Sequence, residues 1–197
     1  MMKKDLFLKV IGVLYLIWGV ASVMNTIFGN TGLAPILWMS YIGMFLLGIG
    51  ILRRDSFLIA SQINILAIPY LLWTIDFFYA LINGVTLFNI VDYFFVPGPL
   101  IGKIIGLQHL VTIPISLYAI YLIGLKRKDA WKLSFVQLVI VFFATLLLTS
   151  PDSNVNCVFE TCTNFDFGVY YPLEWFVSYF LMVLITGFLV GWVGGKR

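Results

Sequence analysis

Asp76, Asp92 and His109 are the side chains best able to do chemistry. They stand in or beside a greasy stretch from Leu71 to Tyr118, LLWTIDFFYALINGVTLFNIVDYFFVPGPLIGKIIGLQHLVTIPISLY. A carboxylate beside an imidazole is a minimal set for proton transfer, because the acid orients the ring and the ring's other nitrogen takes or gives a proton near neutral pH. Charge among membrane-embedded side chains costs about 2.5–3.5 kcal/mol on insertion scales, so it normally has a partner and a purpose. His109, the single histidine, is the expected proton-transfer group, with Asp76 or Asp92 as its orienting partner. Thr112 and Ser116 follow it at i+3 and i+7 and share its helix face. Asn154 and Asn156, in SPDSNVN, are the expected donors to a polar head or a developing oxyanion. The competing reading is a structural network, in which His109 and Asp76 bond each other or the carbonyls freed by Pro69 and Pro114.

The cysteines point away from metal chemistry. One histidine with carboxylates is a poor zinc set, and Cys157 and Cys162, in CVFETC, lack the usual two-residue gap. They are expected to form a disulfide closing a small ring in an oxidising compartment. A quinone-linked disulfide enzyme would need a second redox pair, which the chain lacks. No metal and no cofactor are expected.

The elements that position these groups are apolar helices. The chain is 61% hydrophobic and 11% charged, against roughly 45–50% and about 25% for a soluble domain. Its apolar runs approach the roughly 20 residues that cross a bilayer as helix. The expected fold is therefore all-α, a polytopic membrane protein forming one domain over residues 1–197. The run from Leu6 to Phe28 exceeds a signal-peptide core of about 7–15 residues and reads as a first span. Gly29 to Gly32 reads as a turn. Span two is expected over Pro35–Leu52, and span three over Phe57–Ile82, capped by Asp55 or Ser56 and carrying Pro69. From Asn83 to Gly102 the text stays greasy but is broken by Asn-Gly and Pro-Gly-Pro. An interfacial or re-entrant segment is expected there, since irregular backbone inside a membrane needs protein or water against it. Spans four, five and six follow at Lys103–Leu125, Leu133–Thr149 and Glu174–Val193, making a bundle of six.

Six spans return both termini to one side. Of the 12 Lys and Arg residues, Lys3, Lys4, Lys9, Arg53, Arg54, Lys126, Arg127, Lys128, Lys132, Lys196 and Arg197 fall on that side, and Lys103 alone falls opposite. The positive-inside rule makes the terminal side cytoplasmic, in a cell-membrane protein. Asp76, Asp92, Asp152, Glu160, Asp166 and Glu174 then form an acidic outer face. At 1.5 Å per residue, Asp76 lies about 30 Å from the start of span three and His109 about 24 Å from the basic loop, so both belong to the outer half. Gly187 and Gly191 form a GxxxG that suits either packing inside the bundle or contact with a second copy or a partner subunit. Gly12, Gly19, Gly43, Gly48 and Gly50 read as packing positions. No basic-aromatic stripe of the nucleic-acid kind occurs, which argues against such a partner.

The segments Trp73-Thr74-Ile75-Asp76-Phe77, Asp92-Tyr93-Phe94-Phe95, Gln108-His109 with Pro114, and Pro151 to Phe159 resemble, in this order, a family of bacterial and archaeal integral membrane proteins without an assigned activity. Gln108 stands where that family has Phe, and Cys157 where it has Trp. A more distant similarity is to the six-span androgen-induced-protein group of intramembrane lipid hydrolases and acyl transferases. That similarity implies His109 as the catalytic histidine, with Thr74, Thr112 and Cys157 all open as the nucleophile; it rests partly on span number, a fold-level analogy.

The preferred functional expectation is an outer-leaflet pocket that binds, and in one form processes, a lipid-like or amphipathic small molecule, with membrane lipids as its neighbours. A proton-coupled transporter or channel is the first alternative, and a structural or assembly subunit of a membrane complex the second. Whether the protein is an enzyme is left open by the residues alone.

Overall fold

The computed structural model of the chain describes residues 2–29, 32–163 and 170–194. Asn30, Thr31, Asp166, Lys196 and Arg197, which entered the turn and charge readings, lie outside them. The described elements are helical throughout: α1 Met2–Phe28, α2 Met39–Leu52, α3 Ser56–Asn83, α4 Asp92–Phe95, α5 Leu100–Gly106, α6 Gln108–Ile123, α7 Ala130–Leu148 and α8 Tyr171–Gly194. Short 3-10 turns cover Ala34–Leu37, Pro151–Ser153 and Val155–Cys157.

Among the described residues five helices are long and apolar enough to cross a membrane: Lys3–Phe28, Ser56–Asn83, Leu100–Ile123, Ala130–Leu148 and Tyr171–Trp192. The chain thus has the build of a multi-pass membrane protein. The second expected span is shorter than its sequence suggests. Its α-helical part, α2, has 14 residues, about 21 Å at 1.5 Å each, against a hydrocarbon core of about 30 Å. The break falls at Trp38, whose ψ of 128° leaves the helical region after the 3-10 turn that contains Pro35. Span four begins earlier than expected, at Leu100, and is interrupted at Leu107 between α5 and α6.

α3 is the central helix and packs against α2, α6, α7 and α8. Every residue from Ile59 to Leu66 is buried. α3 is the most buried of the five long helices, and the other four leave largely apolar outward faces exposed. Asp55 caps α3, its carboxylate accepting the amides of Phe57 and Leu58 at 3.0 and 3.1 Å. Gly84, at φ 74°, ends it in the left-handed conformation that glycine adopts without strain. The helix runs on through Pro69.

Glycines and paired polar groups set the helix contacts. A Cβ at Gly48 would lie 2.9 Å from the Gly12 carbonyl oxygen and 2.8 Å from Leu16, so α1 and α2 touch backbone to backbone. Gly187 lies against Asn64 and Trp131, and Gly191 against Lys128, contacts within this chain. Between α3 and α7, Gln62 and Gln137 exchange amide hydrogen bonds of 2.7 and 3.2 Å, and Ser134 donates to the Ser61 carbonyl at 2.9 Å. In an apolar surround such groups need partners, and here they find one another.

Candidate functional site

The connection after α3 is held by one side chain. Asp76 is fully buried, and its two oxygens accept four backbone amides: Leu87 and Phe88 at 2.6 and 2.8 Å on Oδ1, Ile90 and Val91 at 2.8 and 3.1 Å on Oδ2. Hydrogen bonds to a charged acceptor are the strong kind. The loop from Gly84 to Val91 is therefore wrapped on the carboxylate, and this delivers α4 to the side of α3. There the Trp73 indole donates to the Tyr93 hydroxyl at 3.0 Å, and Phe94 packs edge-on to Trp73 and Phe77.

His109 is placed by the same aromatic group. Its ring stacks on Trp73 with centroids 4.8 Å apart and 16° between planes, and tilts against Tyr70 at 4.3 Å. Nδ1 lies 2.7 Å from the Gly106 carbonyl oxygen. A carbonyl only accepts, so this contact assigns the proton to Nδ1 and leaves Nε2 of the neutral ring as an acceptor.

The expected dyad is not what the partners form. Asp76 is committed to the loop amides, and Asp92, exposed, accepts from the Thr86 hydroxyl. Thr112 and Ser116 do face into the bundle, both fully buried, but they meet α1. Tyr15 donates to the Thr112 carbonyl at 2.8 Å and pairs with the Ser116 hydroxyl at 3.1 Å. Thr112 donates back to the Gln108 carbonyl at 2.8 Å.

The two asparagines serve the backbone. Asn154 and Asn156 adopt φ of 34° and 55°, a left-handed region that Asn tolerates better than most residues. The Asn154 oxygen accepts the Phe159 and Glu160 amides at 3.1 and 3.3 Å, closing the loop on itself. Asn156 repairs the break before α2: it accepts the Met39 amide at 2.8 Å and donates to the Leu37 carbonyl at 2.8 Å and to Thr145 at 3.2 Å. Both its donor hydrogens are thereby used. Cys157 and Cys162 form the expected disulfide, with sulfurs 2.06 Å apart.

A cavity of about 610 Å³ lies among these elements, within the roughly 300–1,000 Å³ range of small-molecule sites. Its walls come from the start of α2, the middle of α3, α4 to α6, the disulfide loop and the first half of α8. His109, Asn156, Cys157 and Cys162 line it; Asp76, Asp92, Thr112, Ser116 and Asn154 do not. Trp73, Tyr70 and Glu174 are wall residues outside the expected catalytic and binding set. Glu174 carries a signal that could have found it, an acid in the first turn of an apolar span. Among the described residues no group of three or more metal-ligating side chains occurs.

No protein-family profile, curated protein or solved structure matches the chain.

Proposed function

We propose that this is an integral membrane protein whose cavity binds an amphipathic small molecule. In this reading α2 completes a bundle of six crossings, the segment from Asn83 to Gly102 is re-entrant, and both termini face the cytoplasm, as the distribution of Lys and Arg favours. The cavity then opens in the non-cytoplasmic half.

The observation that carries the proposal is a mostly apolar space of about 610 Å³ with His109 on its wall, its Nε2 without a partner among the described residues. An apolar body fits the space, and a hydroxyl or amide donor on the ligand has an acceptor in the imidazole. With no acid bonded to His109, the arrangement favours binding over catalysis. The seal of Gln62 with Gln137 and of Ser61 with Ser134 favours a closed pocket over a continuous path.

Titration calorimetry on the full chain in mild detergent, with decanol as a neutral probe, tests this. Saturable one-to-one binding is expected, weakened at least tenfold by Ser178→Phe, which fills the wall at α8. Unsaturable uptake that the substitution leaves unchanged would overturn it.

A further inference from the structure

The cavity holds one charged side chain that neither the fold nor the reading above uses. Glu174 is 8% exposed and lines the cavity. Among the described residues its carboxylate enters no hydrogen bond or ion pair. The hydroxyl of Tyr171, in the same turn, is donated to the Cys157 carbonyl. Glu174 stands in the first turn of α8, where the helix dipole favours an acid. Its oxygens have no protein partner among the described residues and are open to the cavity rather than enclosed by protein. Among the described residues no Lys or Arg lines the cavity.

Several aromatic side chains stand among the other wall residues. Trp38, Tyr41, Tyr93, Trp175 and Tyr179 all line the same space, while the Trp73 indole is already stacked on Phe77 and His109. Aromatic faces attract cations, and a cage of them is the usual receptor for quaternary ammonium groups. A carboxylate among aromatic rings selects positive charge by both mechanisms. A phosphate or carboxylate on the ligand would find no cation there.

We propose that the ligand is a cationic amphiphile: an ammonium head held by Glu174 and the aromatic wall, an apolar body in the remaining space, and no accompanying anionic group. This deepens the binding function proposed above and rests on it.

The test uses the full chain in mild detergent and three probes with the same ten-carbon tail, below their micellar concentrations: decyltrimethylammonium, decanol and decylphosphocholine. Decyltrimethylammonium is expected to bind at least tenfold more tightly than either of the others. Glu174→Gln should remove at least tenfold of its affinity and change that of decanol far less, and Trp38→Leu should weaken the cation selectively as well. Equal affinity for decyltrimethylammonium and decanol would overturn the inference while the binding function stood. Parity of decylphosphocholine with decyltrimethylammonium would also overturn it, assigning the site to zwitterionic lipid headgroups. Binding of none of the three would remove the binding function itself. Should Glu174→Gln fail to fold, the ranking of the probes on the unsubstituted protein and the Trp38→Leu variant decide alone.

Discussion

The carboxylate of Asp76 gathers four amides lying eleven to fifteen residues downstream. No periodicity announces such a contact, because the donors belong to an irregular loop. Each buried amide left without a partner costs about 1–3 kcal/mol, and losses that share one site are not additive. Asp76→Ala is therefore expected to destabilise by at least about 2 kcal/mol and to open the segment from Gly84 to Val91 to protease. A thermal midpoint and cleavage pattern unchanged in detergent would contradict the anchoring role. His109 is the opposite case, a titratable group without an acid beside it. His109→Phe keeps a ring against Trp73 and removes Nε2, so the fold should survive within about 1 kcal/mol. Decanol affinity should fall about fivefold, the worth of one hydrogen bond of ~1 kcal/mol; full affinity in this variant would show that the imidazole does not contact the ligand.

At the scale of elements, two contacts between distant segments decide whether α2 is in place. Its start is completed by Asn156, 117 residues away, and its side is pressed on α1 at Gly48 and Gly12. Asn156→Ala strips a partner from the Met39 amide and the Leu37 carbonyl, and a loss of about 1–3 kcal/mol is expected. Gly48→Ala drives a methyl group against the Gly12 carbonyl, which only a shift of a whole helix relieves. A cost of about 1–3 kcal/mol follows from such overpacking. Gly187→Ala, whose nearest neighbours are 3.5 Å away, should be close to neutral. Thermal unfolding of the three variants in one detergent ranks them, and equal midpoints for Gly48→Ala and Gly187→Ala would refute the close approach of α1 and α2.

For the whole molecule, the cavity is a product of the bundle and its longest described connection together. The disulfide spans a sequence separation of 5, and both cysteines line the cavity. Closing a ring of this size stabilises by about 2 kcal/mol in the chain-entropy treatment. Cys157→Ser should lower the unfolding midpoint accordingly and weaken decanol binding by loosening the wall. A midpoint insensitive both to this substitution and to reductant would show that the ring adds nothing to the fold.

What the sequence determined by itself was the membrane-spanning build, the helix-rich fold, a cap at Asp55 or Ser56, the packing glycines and the disulfide. Each follows from composition, run length or local spacing, because a helix satisfies its own backbone and needs little information from elsewhere. Only the tertiary structure decided which polar groups meet. Asp76 went to loop amides rather than to His109, Asn156 to the break at Trp38, Thr112 and Ser116 to Tyr15. Hydropathy cannot foresee this, since apolar side chains cover the outside of the bundle as well as its core and leave no stripe to mark the interior. The cavity, and with it the exposure of Glu174 to that space, arises from the gap left where helices and loop fail to close. That gap is a property of packing, not of any one segment.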